Sequence, residues 1–317
     1  MDTRLYIDDV PENWPVSTGH LPPATQVDTL LAEAHTRFKS LDEGKIADYI
    51  PALAATPKDL FGICVVATSG DVFSIGDTEY EFSIQSISKP FVFALVSQAL
   101  SCQQARYKIG VNATGLPFNS VMAIELNESR TMNPMVNAGA IATTSLVPGA
   151  TADEKWQFIH DGLSRLAGRR LTLNTEVYES EAASNQRNQG IAHLLEGYGR
   201  MYFDPLQATD VYTKQCSLNV SVRDLAVMGA TLADGGGYSM RIAASAFWLH
   251  WRPPGCMRNP ATGCTKSDCL ARAALAAGSS PWHRARAASP PSPRSSIAPE
   301  TASRGNWSRN SFPNASA

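Results

Sequence analysis

A chain of 317 residues, 44% hydrophobic and 18% charged, is long enough to bury a substantial core as one large domain or two small ones. It holds no run of 18 or more apolar residues, which excludes a membrane-spanning helix. The formal charge of −2 is a cancellation, because residues from Ser239 onward carry ten Arg or Lys against two acids while residues 1–238 carry 17 against 27.

Residues 1–24 are Pro-rich and read as a loosely attached arm. The N-terminus carries early acids and no apolar signal region, and Cys64, Cys102, Cys216, Cys256, Cys264 and Cys269 form no C-x-x-C pair. Both features predict a cytoplasmic protein with reduced thiols. Val27, Leu30, Leu31, Ala34 and Phe38 recur with a helical period, so a helix is expected from Val27 to Phe38. Phe61–Thr68 reads as a short buried strand that Ser69-Gly70-Asp71 turns into a second strand over Val72–Ile75.

An apolar helix is expected over Ser86–Leu100, with Pro90 tolerated in its first turn, and a small-residue buried helix over Asn137–Val147. Asp153–Ala167 is amphipathic, with Trp156, Phe158, Ile159, Leu163 and Leu166 on one side. Helical character continues through 176–202. Ser221-Val-Arg-Asp224 resembles a capping box ahead of a helix over Leu225–Ala233, which Gly235-Gly236-Gly237 closes. After Tyr238 the texture changes. Nine of the 20 prolines and four of the six tryptophans lie there without any period, so 238–317 reads as a disordered, basic, low-complexity tail.

The chemistry-bearing motif is Ser86-Ile-Ser-Lys89 at the head of the apolar run. A serine and a lysine three apart on a helix share a face, and a lysine kept neutral by apolar surroundings can take the serine's proton. On spacing alone, Ser86 as a helix cap with Lys89 as a solvated charge is the favoured reading. His20, His35, His160, His193, His250 and His283 show no ligand spacing, so no metal is expected, and no Gly-rich phosphate loop or other cofactor motif is present.

Further blocks lie in order around this motif. They are Tyr49 in Gly-Lys-Ile-Ala-Asp-Tyr-Ile-Pro, FSIQSISK at 82–89, Pro117-Phe-Asn-Ser120, Asn133-Pro-Met-Val-Asn-Ala-Gly-Ala-Ile141, the Glu181 and Asn188 pair, and Tyr212-Thr-Lys-Gln-Cys-Ser217. From about residue 27 to Gly237 the series resembles the serine-dependent glutaminases of the β-lactamase/penicillin-binding-protein superfamily. The resemblance implies an α/β (α+β) fold with a helical region beside an antiparallel sheet, and a catalytic region over 25–237. It implies Ser86 as nucleophile, Lys89 as base and Tyr212 as proton relay to the leaving ammonia. Tyr49, Asn137, Glu181 and Asn188, with Ser86 and Tyr212, would hold L-glutamine. No cofactor is implied, and a homo-oligomer (dimer or tetramer) is.

Physical chemistry agrees with that assignment: Glu181 can face the substrate ammonium, and the Asn and Tyr side chains can donate to its carboxylate. Each residue has a plainer reading. Asn137 could punctuate a helix, Glu181 and Asn188 could lie on one exposed helical face, and Tyr49 or Tyr212 could be packed aromatics. Cys216 reads as a small buried residue, and Asn119 and Glu125 as structural.

Two pieces that the resemblance implies after Gly237 are missing: a Gly-Met-Tyr segment, and a Lys-Ser-Gly-(Val/Ile)-Gly-Gly-Gly strand that contributes an oxyanion N–H. A one-base slip through Gly255–Gly278 restores both, because suitable synonymous codons then read Met-Tyr-Glu-x-Ser-Gly-Asp-Trp-Leu-Tyr-Glu-Ile-Gly-Leu-Pro-Gly-Lys-Ser-Gly-(Val/Ile)-Gly-Gly-Gly. The expectation is therefore that residues from about Tyr238 are an out-of-frame translation, which leaves the sheet incomplete and the enzyme impaired. Two rivals stand beside this reading. One is a β-lactamase or peptidase of the same superfamily; the other is a non-catalytic protein whose basic tail binds nucleic acid or a partner.

Overall fold

The computed structural model describes residues 21–41, 46–47, 50–111, 116–130 and 132–234, and the arm before residue 21 and the tail after 234 lie outside them. Helix α1 (Ala24–Phe38) buries Val27 and Leu31, one turn apart. They pack on Ile63, with Phe61, Val65, Phe73 and Ile75 around them. A single turn, α2 (Pro51–Ala54), starts on its proline, where the missing N–H costs nothing. Strands β1 (Gly62–Val66) and β2 (Val72–Gly76) form the expected antiparallel hairpin, in register from Gly62↔Gly76 to Val66↔Val72. Gly70 closes it with a φ of 98°, a conformation that side chains disfavour. Among the described residues β1 pairs with β2 alone.

Strand β3 (Phe82–Ser83) leads into a 3-10 turn (Gln85–Ile87) and then α3 (Ser88–Leu100). The expected helix over 86–100 thus begins two residues late, and Ser86 sits in the tighter turn before it. Ser88, Lys89 and every residue from Phe91 to Ser97 are buried, so α3 is enclosed on all sides. It packs on α4 (Cys102–Ile109) and, beyond the short α5 (Met122–Glu125), on α6 (Asn137–Ser145) and α7 (Ala152–Ala167). The approach to α7 is close: a Cβ on Gly162 would run into the Leu95 side chain. At Gly139 a Cβ would strike the Asn133 carbonyl, which holds the 133–134 segment against the first turns of α6.

After β4 (Thr172–Leu173), the stretch expected to be helical through 202 divides into α8 (Thr175–Ala182) and α9 (Gln186–Gly197). Asn185 lies at the break, where its buried amide donates to Thr213 Oγ1 at 3.2 Å instead of serving a helix. Helix α10 (Pro205–Cys216) follows, then β5 (Leu218–Val220) and α11 (Val222–Asp234). Strand β5 pairs antiparallel with both β3 and β4. The capping box is present: Asp224 N donates to Ser221 Oγ at 3.1 Å, and Ser221 N donates to Asp224 Oδ2 at 2.7 Å. The helix it starts runs to Asp234; the glycines expected to end it lie outside the described residues.

One continuous core joins α3, α6, α7, α10 and α11 through residues such as Phe91, Val92, Ile141, Ile159, Leu163, Val211 and Met228. None of the described helices is long and apolar enough to cross a membrane.

Candidate active site

Ser86 lies half-buried where β3, an edge of the three-stranded sheet, hands over to α3. The residue before it, Gln85, has a φ of 49°, left-handed backbone that a non-glycine residue adopts only when held. Lys89 follows one turn later, and in so tight a turn residues i and i+3 come onto one side. Its side chain is not solvated: Lys89 is 3% exposed. The helix-cap reading of the pair therefore fails, because a solvated lysine cannot be that deep.

The Lys89 amine donates to Asn137 Oδ1 at 2.9 Å and to the Met135 carbonyl at 3.2 Å. Both acceptors are neutral oxygens, and burial pushes the ammonium pKa down to about 8, against the opposing pull of Cys216 and Glu181. A neutral amine has two N–H groups and one lone pair. With both N–H groups committed, the lone pair is what remains for a proton.

Asn137 opens α6 and extends the chain of amides, since its Nδ2 donates to Asn188 Oδ1 on α9 at 3.0 Å. Glu181 and Asn188 lie on two helices, α8 and α9, not on one exposed face. Burial pushes the Glu181 carboxyl up to about 7, although a hydrogen bond with Gln85 and the charge of Lys89 oppose it. Its Oε2 is buried and has no hydrogen-bond partner among the described residues. An unpaired carboxylate oxygen in that position is a receptor for a cation.

Tyr212 enters from α10, 2% exposed, with Ser86 and Cys216 among the side chains that act on its hydroxyl. Burial holds its pKa well above that of a free phenol, so the group stays protonated. Cys216 is buried too, and its thiol is pushed up to about 12, which removes it as a nucleophile. The Phe118 ring stands 5.7 Å from Lys89 Nζ, and its carbonyl accepts from Asn137 N at 2.8 Å. Among the described residues no group of three or more His, Cys, Asp or Glu could hold a metal ion.

Five sequence-derived residues other than Ser86 thus gather around it: Lys89, Asn137, Glu181, Asn188 and Tyr212. Tyr49 lies outside the described residues. Asn119 and Glu125 serve the framework: the Asn119 carbonyl accepts from Arg187, and Glu125 binds Arg130 and the Tyr198 hydroxyl. Sequence reasoning gave no role to Gln85 or to the Met135 carbonyl. The first is marked by its backbone angle and the second is a main-chain oxygen, and neither leaves a residue-type signal.

The family profile described as Glutaminase matches residues 44–244, well over half of the chain. The chain belongs to the glutaminase family. It is 63% identical over 221 residues to Glutaminase 2 of Yersinia pestis, covering 70% of this chain and 65% of that one. A solved probable glutaminase, ybaS, superposes with a TM-score of 0.69 at 40% identity, covering 72% of this chain and 76% of the other. A probable glutaminase from Bacillus subtilis complexed with 6-diazo-5-oxo-L-norleucine gives 0.59 at 29% identity, covering 73% of each. The chain therefore has the β-lactamase-like helix-and-sheet fold of its neighbours. Its match spans less than two thirds of the length of the Yersinia relative.

Proposed function

We propose that the site hydrolyses L-glutamine to L-glutamate and ammonia through an acyl-enzyme on Ser86. The observation that carries this reading is the Lys89 amine, buried beside the serine turn with both N–H groups on neutral oxygens. Lys89 takes the Ser86 proton as Oγ attacks the side-chain amide carbon. The C–N bond then breaks as Tyr212 passes its hydroxyl proton to the departing nitrogen, which leaves as ammonia, and the proton held on Lys89 replaces the one Tyr212 gave. Water next attacks the ester, returning the proton to Ser86.

Glu181 faces the substrate ammonium. Asn137, Asn188 and Tyr49 take the amino-acid end, as in the family this chain resembles. The B. subtilis relative's ligand supports the choice of substrate, because its diazoketone has the amino-acid framework of glutamine with the amide nitrogen replaced. A cytoplasmic, homo-oligomeric enzyme without a cofactor completes the reading.

Residues from about Tyr238 are, on this proposal, an out-of-frame translation, and this chain is weakly active or inactive. Loss of one oxyanion donor costs about 10²–10³ in turnover in a serine protease. The hairpin edge on β1, unpaired among the described residues, would add a tendency to aggregate. The test is ammonia release from glutamine by this chain, by its frame-restored form and by Ser86→Ala of the restored form. The restored form is expected to turn over, this chain weakly, and Ser86→Ala at least about 10³-fold less. Full activity of Ser86→Ala would overturn the mechanism. Full activity of the unrestored chain, or an intact reading frame across codons 230–245, would overturn the account of the tail.

A further inference from the structure

Beneath the serine turn lies a second layer of polar side chains that the mechanism does not use. Thr144, Gln215 and Ser88 are 0%, 1% and 0% exposed. The Thr144 hydroxyl is shared between the Ala140 carbonyl and Gln215 Oε1, at 3.1 Å from each, Gln215 Nε2 donates to Ser88 Oγ at 2.9 Å, and Ser88 Oγ donates to the Gln85 carbonyl at 2.8 Å. We infer that this buried relay is a positioning device: it holds Gln85 in its left-handed conformation and so sets where Ser86 Oγ and the Gln85 side chain point.

Three features of the geometry support it. The relay ends on the carbonyl of the one residue in the turn with a positive φ, which local preference alone would not maintain. It also begins on α6, passes through α10 and ends at the head of α3, the helices that carry Asn137, Tyr212 and Lys89. Finally, the Gln85 amide, aimed by the same backbone, donates to Ser83 Oγ at 3.1 Å, and its influence on Glu181 opposes the rise that burial gives that carboxyl. Three buried polar groups in a close-packed interior persist only when all are satisfied, and here each has a partner. None of the three is placed against the substrate. Their effect passes through Gln85, so the chemical step should suffer more than affinity when the relay is cut.

The kinetic half of this inference rests on the proposed serine mechanism. The test therefore pairs a chemical readout with one that needs no activity. The full-length chain and its Gln215→Met, Thr144→Val and Thr144→Ser variants are incubated with 6-diazo-5-oxo-L-norleucine over a concentration series. Mass spectrometry of the Ser86 peptide gives the maximal labelling rate and the half-saturating concentration. Amide hydrogen exchange over residues 84–89 is measured on the same four proteins without reagent, with α7 as internal reference.

Gln215→Met and Thr144→Val are expected to lower the maximal rate about tenfold to a hundredfold while half-saturation stays within about threefold. Exchange in the turn should quicken with α7 unchanged. Thr144→Ser, which keeps the hydroxyl, should restore both. Unchanged labelling and exchange in Gln215→Met would overturn the relay, as would a Thr144→Ser variant as impaired as Thr144→Val. If the unsubstituted chain takes no label on Ser86, the serine mechanism fails for this chain. Exchange alone then decides the relay: a faster turn in Gln215→Met upholds it and an unchanged one overturns it.

Discussion

Lys89 Nζ donates to Asn137 Oδ1, and Asn137 Nδ2 donates onward to Asn188 Oδ1, so base and amide side chains form one hydrogen-bonded unit across three helices. On the proposed mechanism the unit works as a base only because Asn137 is neutral. Asn137→Asp keeps an acceptor in place but sets a negative charge against the amine, which favours the ammonium. The Lys89 pKa should rise by about one unit or more, and activity of the frame-restored chain at neutral pH should fall about tenfold per unit. Raising the pH should recover it. A pH profile distinguishes this from simple damage, which no pH would repair.

The unsubstituted site should itself favour mild alkali. Lys89 must be neutral to accept a proton, so it works above its pKa of about 8, and Glu181 must be ionised to bind an ammonium, so it works above about 7. Both limbs therefore rise with pH. In the frame-restored chain kcat/KM should climb through both values, whereas kcat should show only the upper one, because bound substrate holds Glu181 ionised. A kcat/KM profile that fell between pH 7 and 8 would contradict both assignments.

Glu181→Gln removes the charge that the substrate ammonium needs and leaves the shape intact. Leaving a buried cation unpaired costs about 3 kcal/mol or more, about a hundredfold in KM. The expected signature is a raised KM with kcat reduced less, measured by ammonia release over a glutamine series.

Stability should depend on Asp224 at the head of α11. Its carboxylate accepts from Arg169 Nε and Nη2 at 2.8 and 2.7 Å, and from Ser221 N at 2.7 Å. Burial alone would raise its pKa, but the Arg169 guanidinium and the Ser221 bonds outweigh that and hold the group below the usual carboxylate range. A depressed folded-state pKa gives stability that is present above the unfolded carboxylate value and is lost as pH falls through the folded one. Asp224→Ala should cost about 2 kcal/mol at pH 7, allowing for Arg169's partial exposure, and less in strong acid. Denaturant unfolding of the full chain at both pH values checks it.

Much of the framework was legible. The helical periods of α1 and α7, the apolar run of α3, the Ser-Gly-Asp turn between β1 and β2 and the Ser221/Asp224 box all appear in place. Helix α10 was not foreseen because it buries Thr209, Thr213 and Gln215 alongside Val211 and Tyr212, which blurs the apolar stripe. Strands β3, β4 and β5 are two or three residues long, too short for alternation to register. In the site, the Ser86 and Lys89 spacing left two readings open, and the depth of the lysine removes the one in which it is solvated. Asn137, Glu181, Asn188 and Tyr212 come from four separate helices, so no local pattern could have joined them; the ordered resemblance did.

The claim on which the rest depends is that Ser86 carries the acyl group. Rapid acid quenching of the frame-restored chain during glutamine turnover, followed by mass spectrometry of the 82–89 peptide, reads this directly. The expected result is a γ-glutamyl adduct on Ser86 that forms as ammonia is released and is absent from Ser86→Ala and from Lys89→Ala. Steady ammonia release by Ser86→Ala, or an adduct on any other residue, would contradict it.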